Sequence, residues 1–455
     1  MFQPRSSVLC RQLFVASLVL FLVANTINLY VTTLQPSVQP LPSVQPTRHH
    51  AVQPLPSVQP TRHHAVQPLP SVQPTRHHAT LPPPPTSCTR DQLLALRAQL
   101  HPIDCVKALR SPWLQSCSLT ARTKCPDPAN WLEEYYSELQ REYAGGGEFA
   151  SPFLAMSVGC NKGFDALNTL RMGTFDASLS KSDWNDAMTA GEENLHQSVC
   201  NQDATPEFEI IGQPSSGQVR RGEVHCFEPM PSTYQKLHDS AKSLGYDEKG
   251  YKVVHSAVSK EEGMAYLPSR AKIGIENVGL DQACGNAAIA DGHCEAVHVL
   301  TLEKYVKEHV DGDGPIHMLQ IDVEGYDGDV MLGAGDEVLG RVEYLEFEYN
   351  WMGSWRTQHL YDMVEMLNER DFSCYWAGRR RLWRITGCWM QYFDVHTWSN
   401  VACVNRSRVP RLASKMEAVF QKTLEEGTPV KEADEIGGHE ILSTDAAQMA
   451  LKYLS

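Results

Sequence analysis

The chain has 455 residues, Lys+Arg 40 against Asp+Glu 54 for a formal net charge of −14, and 42% hydrophobic against 21% charged residues. That apolar share supports a packed core and excludes a chain disordered throughout. The acidic balance lacks the basic footprint of a nucleic-acid binder, so no nucleic acid is expected among its partners.

Leu13 to Val31 form an uncharged stretch of 19 residues, about the length of a helix that crosses the hydrocarbon core. Arg5 and Arg11 precede it, and the next basic residue is Arg48. The positive-inside bias then predicts a cytoplasmic tail over 1–12, a transmembrane signal-anchor over 13–31 and a lumenal remainder. A cleaved signal peptide is the alternative, but no small-x-small cleavage site follows. QPLPSVQPTRHHAV occupies Gln39–Val52, recurs at Gln53–Val66 and, with one change, at Gln67–Thr80, ahead of the Pro82–Pro85 run. Such sequence builds no core and favours polyproline II, which predicts a disordered stalk over 32–87. Cys88, Cys105, Cys117 and Cys125 follow, in a segment over 88–147 with helical patches at Asp91–Leu100 and Ala129–Tyr143. Four lumenal cysteines predict two disulfides, in any of three connectivities, stapling a helical cap. Gly145-Gly146-Gly147 marks the boundary to a head over 148–410.

The head alternates apolar strands with helices. Strands are expected at Phe153–Val158, Glu223–Phe227, Tyr251–Val258, His317–Val323 and Arg341–Glu348. Helices are expected at Phe164–Arg171, Ser232–Leu244, Leu302–Val310, from Asp329 onward, and at Leu360–Arg370. This alternation predicts a doubly wound, mostly parallel α/β sheet whose ligands sit at the carboxyl ends of the strands. Residues 176–221 read as an insertion, and 411–455 as a C-terminal helix with an acidic tail.

Three strand ends carry the candidate site. Gly159-Cys160-Asn161-Lys162-Gly163 is a tight turn whose glycines let backbone approach a ligand at a helix N-terminus. Glu228, held by Pro229 and Pro231, is a strand-end carboxylate able to accept both hydroxyls of a ribose. Asp322-Val323-Glu324-Gly325 ends an apolar strand in two alternate carboxylates, which alternation would place on one side. Cys160 reads as a small packed residue.

Five segments resemble, in order, the FkbM-type methyltransferases: SVGCNKGFDA (157–166), CFEPMPSTYQKL (226–237), VVHSAVSKEEG (253–263), TLEKYV (301–306) and LQIDVEGYDGDVMLGA (319–334). The resemblance covers about Phe153 to Val404. It implies a class I methyltransferase (Rossmann-like) head, S-adenosyl-L-methionine as cofactor, and methyl transfer to a hydroxyl acceptor. It further implies that Gly159, Asn161 and Gly163 surround the methionine portion and that Glu228, with Pro229 beside it, holds the ribose. Asp322 and Glu324 would be the catalytic carboxylates near the sulfonium and the acceptor. Ser157 stands where the family has an Asp, Gln320 where it often has a Lys, and the insertion after the first motif is long.

Anchor, stalk and transferase-like head together predict a type II membrane protein of the Golgi acting on a glycan hydroxyl. Two other readings remain. One is a Golgi glycosyltransferase that holds Mn²⁺ and a sugar nucleotide through Asp311-Gly-Asp313 or Asp327-Gly-Asp329. The other is a catalytically inactive, stalked recognition domain. Among weaker features, Arg379–Arg381 with Arg384 read as a turn between strands or a seat for an anionic acceptor. Trp351, Trp355, Trp376, Trp389 and Trp398 read mostly as core. Asn405-Arg406-Ser407 is a glycosylation sequon expected at the surface.

Overall fold

The computed structural model describes residues 87–99, 130–144, 149, 151–191, 195, 207–211, 219–276, 278–280, 284, 286–378, 380–390, 393 and 399–426. The expected cytoplasmic tail and anchor, the stalk up to residue 86, Cys105, Cys117, Cys125, and the tail after 426 lie outside the described residues. Among the described residues no helix is long and apolar enough to cross a membrane.

The order along the chain begins with α1 (Arg90–Gln99), α2 (Asn130–Ala144), β1 (Phe153–Val158), α3 (Phe164–Thr174), α4 (Lys181–Thr189), β2 (Gly222–Phe227), α5 (Pro231–Ser243) and β3 (Tyr251–Val254). It continues through β4 (Ala257–Val258), β5 (Gly263–Pro268), α6 (Asn286–Ala290), β6 (Cys294–Leu300), α7 (Leu302–His309), β7 (Ile316–Ile321) and α8 (Asp327–Leu339). It ends with β8 (Val342–Tyr349), a 3-10 turn at Gly353–Arg356, α9 (Leu360–Asn368), β9 (Phe372–Gly378), β10 (Arg381–Arg384), β11 (Ser399–Asn405) and α10 (Pro410–Glu426).

An eight-stranded sheet runs β10-β9-β11-β8-β7-β1-β2-β3, and β4-β6-β5 form a smaller one. β3, β2, β1, β7 and β8 pair in parallel, each joined through helical crossovers. All six residues of β1 are buried, as expected for a parallel strand covered on both faces. The far half is antiparallel: β11 lies between β8 and β9, and β10 folds back on β9. The mostly parallel expectation therefore holds for the half that carries the strand-end motifs. In the rest only β9 and β10 are joined by a short hairpin; β8 reaches β9 through the 3-10 turn and α9.

Two expected strands end early. Tyr251–Val258 breaks after Val254, where Ser256 N–H turns back to the Val254 carbonyl, and Ala257–Val258 joins the small sheet. β7 stops at Ile321, so Asp322 and Glu324 lie in a bend rather than in strand alternation. Gly325 there (φ 97°) packs so closely on Met352 that a Cβ would come within 2.5 Å of its backbone carbon.

The cysteine segment is not stapled within itself at its first cysteine. Cys88 bonds Cys388, just beyond β10. Leu96, Trp131, Leu132 and Tyr136 of α1 and α2 are buried in the same core as the central strands. Arg411 and Lys415 of α10 pair with Glu134, Glu138 and Glu142 of α2. Exposed pairs of this kind contribute little; the buried apolar side chains fix the docking.

Three peripheral features resolve differently from one another. Arg384 is fully buried, its guanidinium pairing with Glu417 of α10, and Arg380 sits at φ 55° in the β9–β10 turn. β10 is the sheet edge farthest from β3, so the arginines belong to a structural hairpin; Arg379 lies outside the described residues. Trp355 and Trp376 are core, Trp351 and Trp389 half-buried, and Trp398 outside the described residues. The sequon expectation is overturned. Asn405 is 3% exposed and its amide nitrogen donates to the Arg370 carbonyl, leaving no room for a glycan on that atom.

Candidate active site

The site begins where β1 and β7 part. β1 has β2 on one side and β7 on the other, and the chain winds outward in opposite directions from this pair. A doubly wound sheet opens a crevice at such a point. Asp322 N–H still bonds the Val158 carbonyl at 2.8 Å, and beyond that rung the strands diverge. The cleft there holds about 680 Å³ of empty space, open solvent at its mouth included.

Gly159 sits at φ 84°, and a Cβ on it would lie 1.7 Å from the Asp322 carbonyl oxygen. Only glycine lets β1 leave the sheet there. Asn161 adopts a left-handed φ of 49°, and its N–H donates to Glu228 Oε2 at 2.9 Å. Glu228 Oε1 accepts from Met230 N–H at 2.8 Å. The carboxylate at the end of β2 is thus held by two backbone donors and is only 4% exposed. Burial pushes it up to about 7, against the opposing pull of those donors. Gly163 (φ 75°) caps the N-terminus of α3.

Across the cleft, Asp322 lines the cavity and is exposed to it. Partial loss of water to the surrounding protein pushes its carboxyl up to about 7, with Asp165 and Glu276 adding like charge. Glu324 lines the same cleft at φ 56°, a conformation that costs a non-glycine residue and persists where surrounding structure imposes it. Behind them lie Asp327 and Glu348, both buried. Asp327 Oδ1 accepts the Glu348 N–H at 3.1 Å. Burial first, then the neighbouring carboxylates, raises both groups well above the ordinary range.

Gly159, Asn161, Glu228, Pro229, Asp322 and Glu324 all line the cleft, whereas Gly163 braces the turn from behind. Cys160 is neither free nor simply packed: it is bonded to Cys226. Sequence reasoning missed the apolar wall formed by Phe227, Met230, Leu267, Ile275 and Val278, together with Ser256 and Ala257 at the break after β3. Ser256 and Ala257 fall inside the VVHSAVSKEEG segment, so a signal was there. Leu267, Ile275 and Val278 stand in irregular sequence with no period to mark them. Ser157 is buried within β1 between Cys226 and Gln320 and is not among the residues facing the cleft.

The Asp-x-Asp motifs are placed differently. Asp311 and Asp313 lie in an exposed turn before β7, at the sheet end opposite the cleft. Asp327 is fully buried, and Asp329 accepts from Gln358 and Lys260. Among the described residues no group of three or more His, Cys, Asp or Glu side chains could hold a metal ion.

Glu228, Glu343 and Glu346 are pushed to about 7, chiefly by burial. The folded protein therefore holds more protons than the unfolded chain above the ordinary carboxylate range and up to about pH 7. That stability is fully present at low pH within this window and is lost as the pH climbs through 7. His317, lowered to about 3 by burial and by Arg220, and His255, lowered chiefly by burial, act oppositely and offset part of this fall. Thermal scans of the ligand-free protein should show Tm falling from about pH 5 to about pH 8; a rising Tm would contradict the burial of these carboxyls.

A parallel half-sheet with a carboxylate closing the second strand, and a cleft at the switch point, defines a methyltransferase-like α/β domain. Residues 215–374 match the family model described as Methyltransferase FkbM domain, so over this segment the chain is similar to the FkbM-type methyltransferases. The match takes in Glu228, Asp322 and Glu324; the Gly159–Gly163 turn precedes it. No curated protein and no solved structure matches the chain.

Proposed function

We propose that the protein is an S-adenosylmethionine-dependent O-methyltransferase acting on a hydroxyl of a glycan. The observation that carries this reading is the pairing, across one cleft, of a ribose-type carboxylate with a carboxylate pair. Glu228 is pre-aimed by two backbone donors, and Asp322 and Glu324 face it. The residues fit the cofactor: Gly159 gives the close backbone approach, Glu228 would take the ribose hydroxyls, and the apolar wall from Phe227 to Val278 suits a flat base. When bound, the cofactor supplies an electrophilic methyl group. Asp322 and Glu324 orient the acceptor hydroxyl, and one of them takes its proton, which a sugar hydroxyl does not give up readily at neutral pH.

In this reading residues 13–31 anchor a type II protein with its head in the Golgi lumen. The disulfides Cys88–Cys388, Cys284–Cys294 and Cys374–Cys403 support an oxidising compartment. Protease protection of the C-terminus in intact microsomes is the expected result; digestion without detergent sinks the topology. For the chemistry, calorimetry should show S-adenosylmethionine binding without added metal. Binding of a sugar nucleotide with Mn²⁺ instead would favour the glycosyltransferase reading, and binding of neither a recognition domain.

A further inference from the structure

Cys160, in the turn after β1, and Cys226, next to the last residue of β2, form a disulfide with Cα atoms 5.4 Å apart. Both are buried, at 7% and 0% exposed. Cys160 stands between Gly159 and Asn161, which line the cleft, and Cys226 stands two residues before Glu228. The bond therefore ties the segment that supplies the Asn161 N–H to the segment that supplies its acceptor.

The same turn is braced from behind by two aromatic residues. The Tyr251 hydroxyl donates to the Gly163 carbonyl at 3.0 Å and lies 3.5 Å from Cys226 Sγ and 3.8 Å from Cys160 Sγ. Trp184, from the insertion helix α4, donates its indole N–H to the Lys162 carbonyl at 2.9 Å and packs its ring on Tyr251. β1 and β2 already pair in register over six residues, so the strands themselves need no cross-link. The turn does: its first and third residues, Gly159 and Asn161, both have left-handed φ, and the sheet ladder ends before Asn161.

We propose that the Cys160–Cys226 disulfide is a positioning element of the cofactor site. It holds the Gly159–Gly163 turn so that Asn161 N–H meets Glu228 and the carboxylate stays aimed into the cleft. Cofactor affinity depends on the bond being intact. The inference rests on the cofactor reading above for its ligand, but not for its geometry.

The full chain carrying Cys160→Ala and Cys226→Ala should bind S-adenosylmethionine on the order of tenfold more weakly, since small misplacements of a preorganised site cost affinity. Cys374→Ala with Cys403→Ala removes a buried disulfide between β9 and β11; it should lower Tm and leave cofactor affinity unchanged. In a Glu228→Gln background the loss of Cys160–Cys226 should cost less than in the parent, because the two act through one contact. Equal losses in both backgrounds would mean general softening and overturn the proposal.

Amide hydrogen exchange at Asn161, measured without ligand, should quicken in the Cys160→Ala/Cys226→Ala protein. Unchanged exchange together with unchanged affinity overturns the proposal. Quickened exchange in a protein whose parent does not bind S-adenosylmethionine upholds the positioning role and sinks the cofactor assignment instead. If the double variant does not fold, the folded parent is treated with dithiothreitol. That reagent delivers two electrons and two protons to the sulfurs, leaves two thiols and closes to its own cyclic disulfide; the same binding and exchange changes are then expected.

Discussion

Glu228→Ala is expected to weaken S-adenosylmethionine binding by about 2–3 kcal/mol, the scale of a lost charge-assisted bidentate contact. The structure adds a second reason for a large effect. Alanine would leave the N–H groups of Asn161 and Met230 without their acceptor at the mouth of the cleft, and the turn that approaches the ligand would lose its tether to β2. Glu228→Gln keeps one acceptor oxygen and should retain part of the affinity. Calorimetry on folded variants decides the matter: parental affinity in Glu228→Ala would show that the end of β2 is not the ribose seat.

The second large effect concerns turnover. Asp322→Asn and Glu324→Gln should each lower the methyl-transfer rate by roughly 10²–10⁴, the range for removing a positioned acid–base group, while cofactor affinity largely persists. Stability separates this role from a structural one. Asp322 is held above its ordinary pKa by partial loss of water and by neighbouring carboxylates, and it in turn raises Asp327 and Glu348. Neutralising it removes a repulsion, so Tm of Asp322→Asn at pH 8 should match or exceed that of the parent. A variant that loses Tm but keeps its rate would reassign Asp322 to the fold. Product masses from a panel of glycan acceptors would identify the hydroxyl.

The cleft-facing residues were legible because each sits where a period stops. β1 and β2 are apolar runs that end in a glycine turn and in Glu-Pro, and short-range sterics fix both endings: only glycine fits at Gly159, and Pro229 cannot continue a strand ladder. The helices α1, α2, α7 and α9 were likewise marked by local periodicity and lie within a residue or two of expectation. Asp322 and Glu324 were identified as residues but misplaced as neighbours in a strand, because the close approach of Met352 to Gly325, which bends the chain there, is a contact across 27 positions.

By itself the sequence determined the parallel half of the sheet, the identity of its strand-end carboxylates, and the resemblance to the FkbM-type methyltransferases, since all of these follow from patterns a few residues long. Only the tertiary structure decided the pairing of Cys88 with Cys388 and of Cys160 with Cys226, the burial of Asn405, and the capture of Arg384 by Glu417. It also decided the antiparallel order of β8, β11, β9 and β10. Each of these joins residues far apart in the chain. Which distant partners meet is set by how whole faces bury their apolar surface, a property of the assembled core that no local window contains.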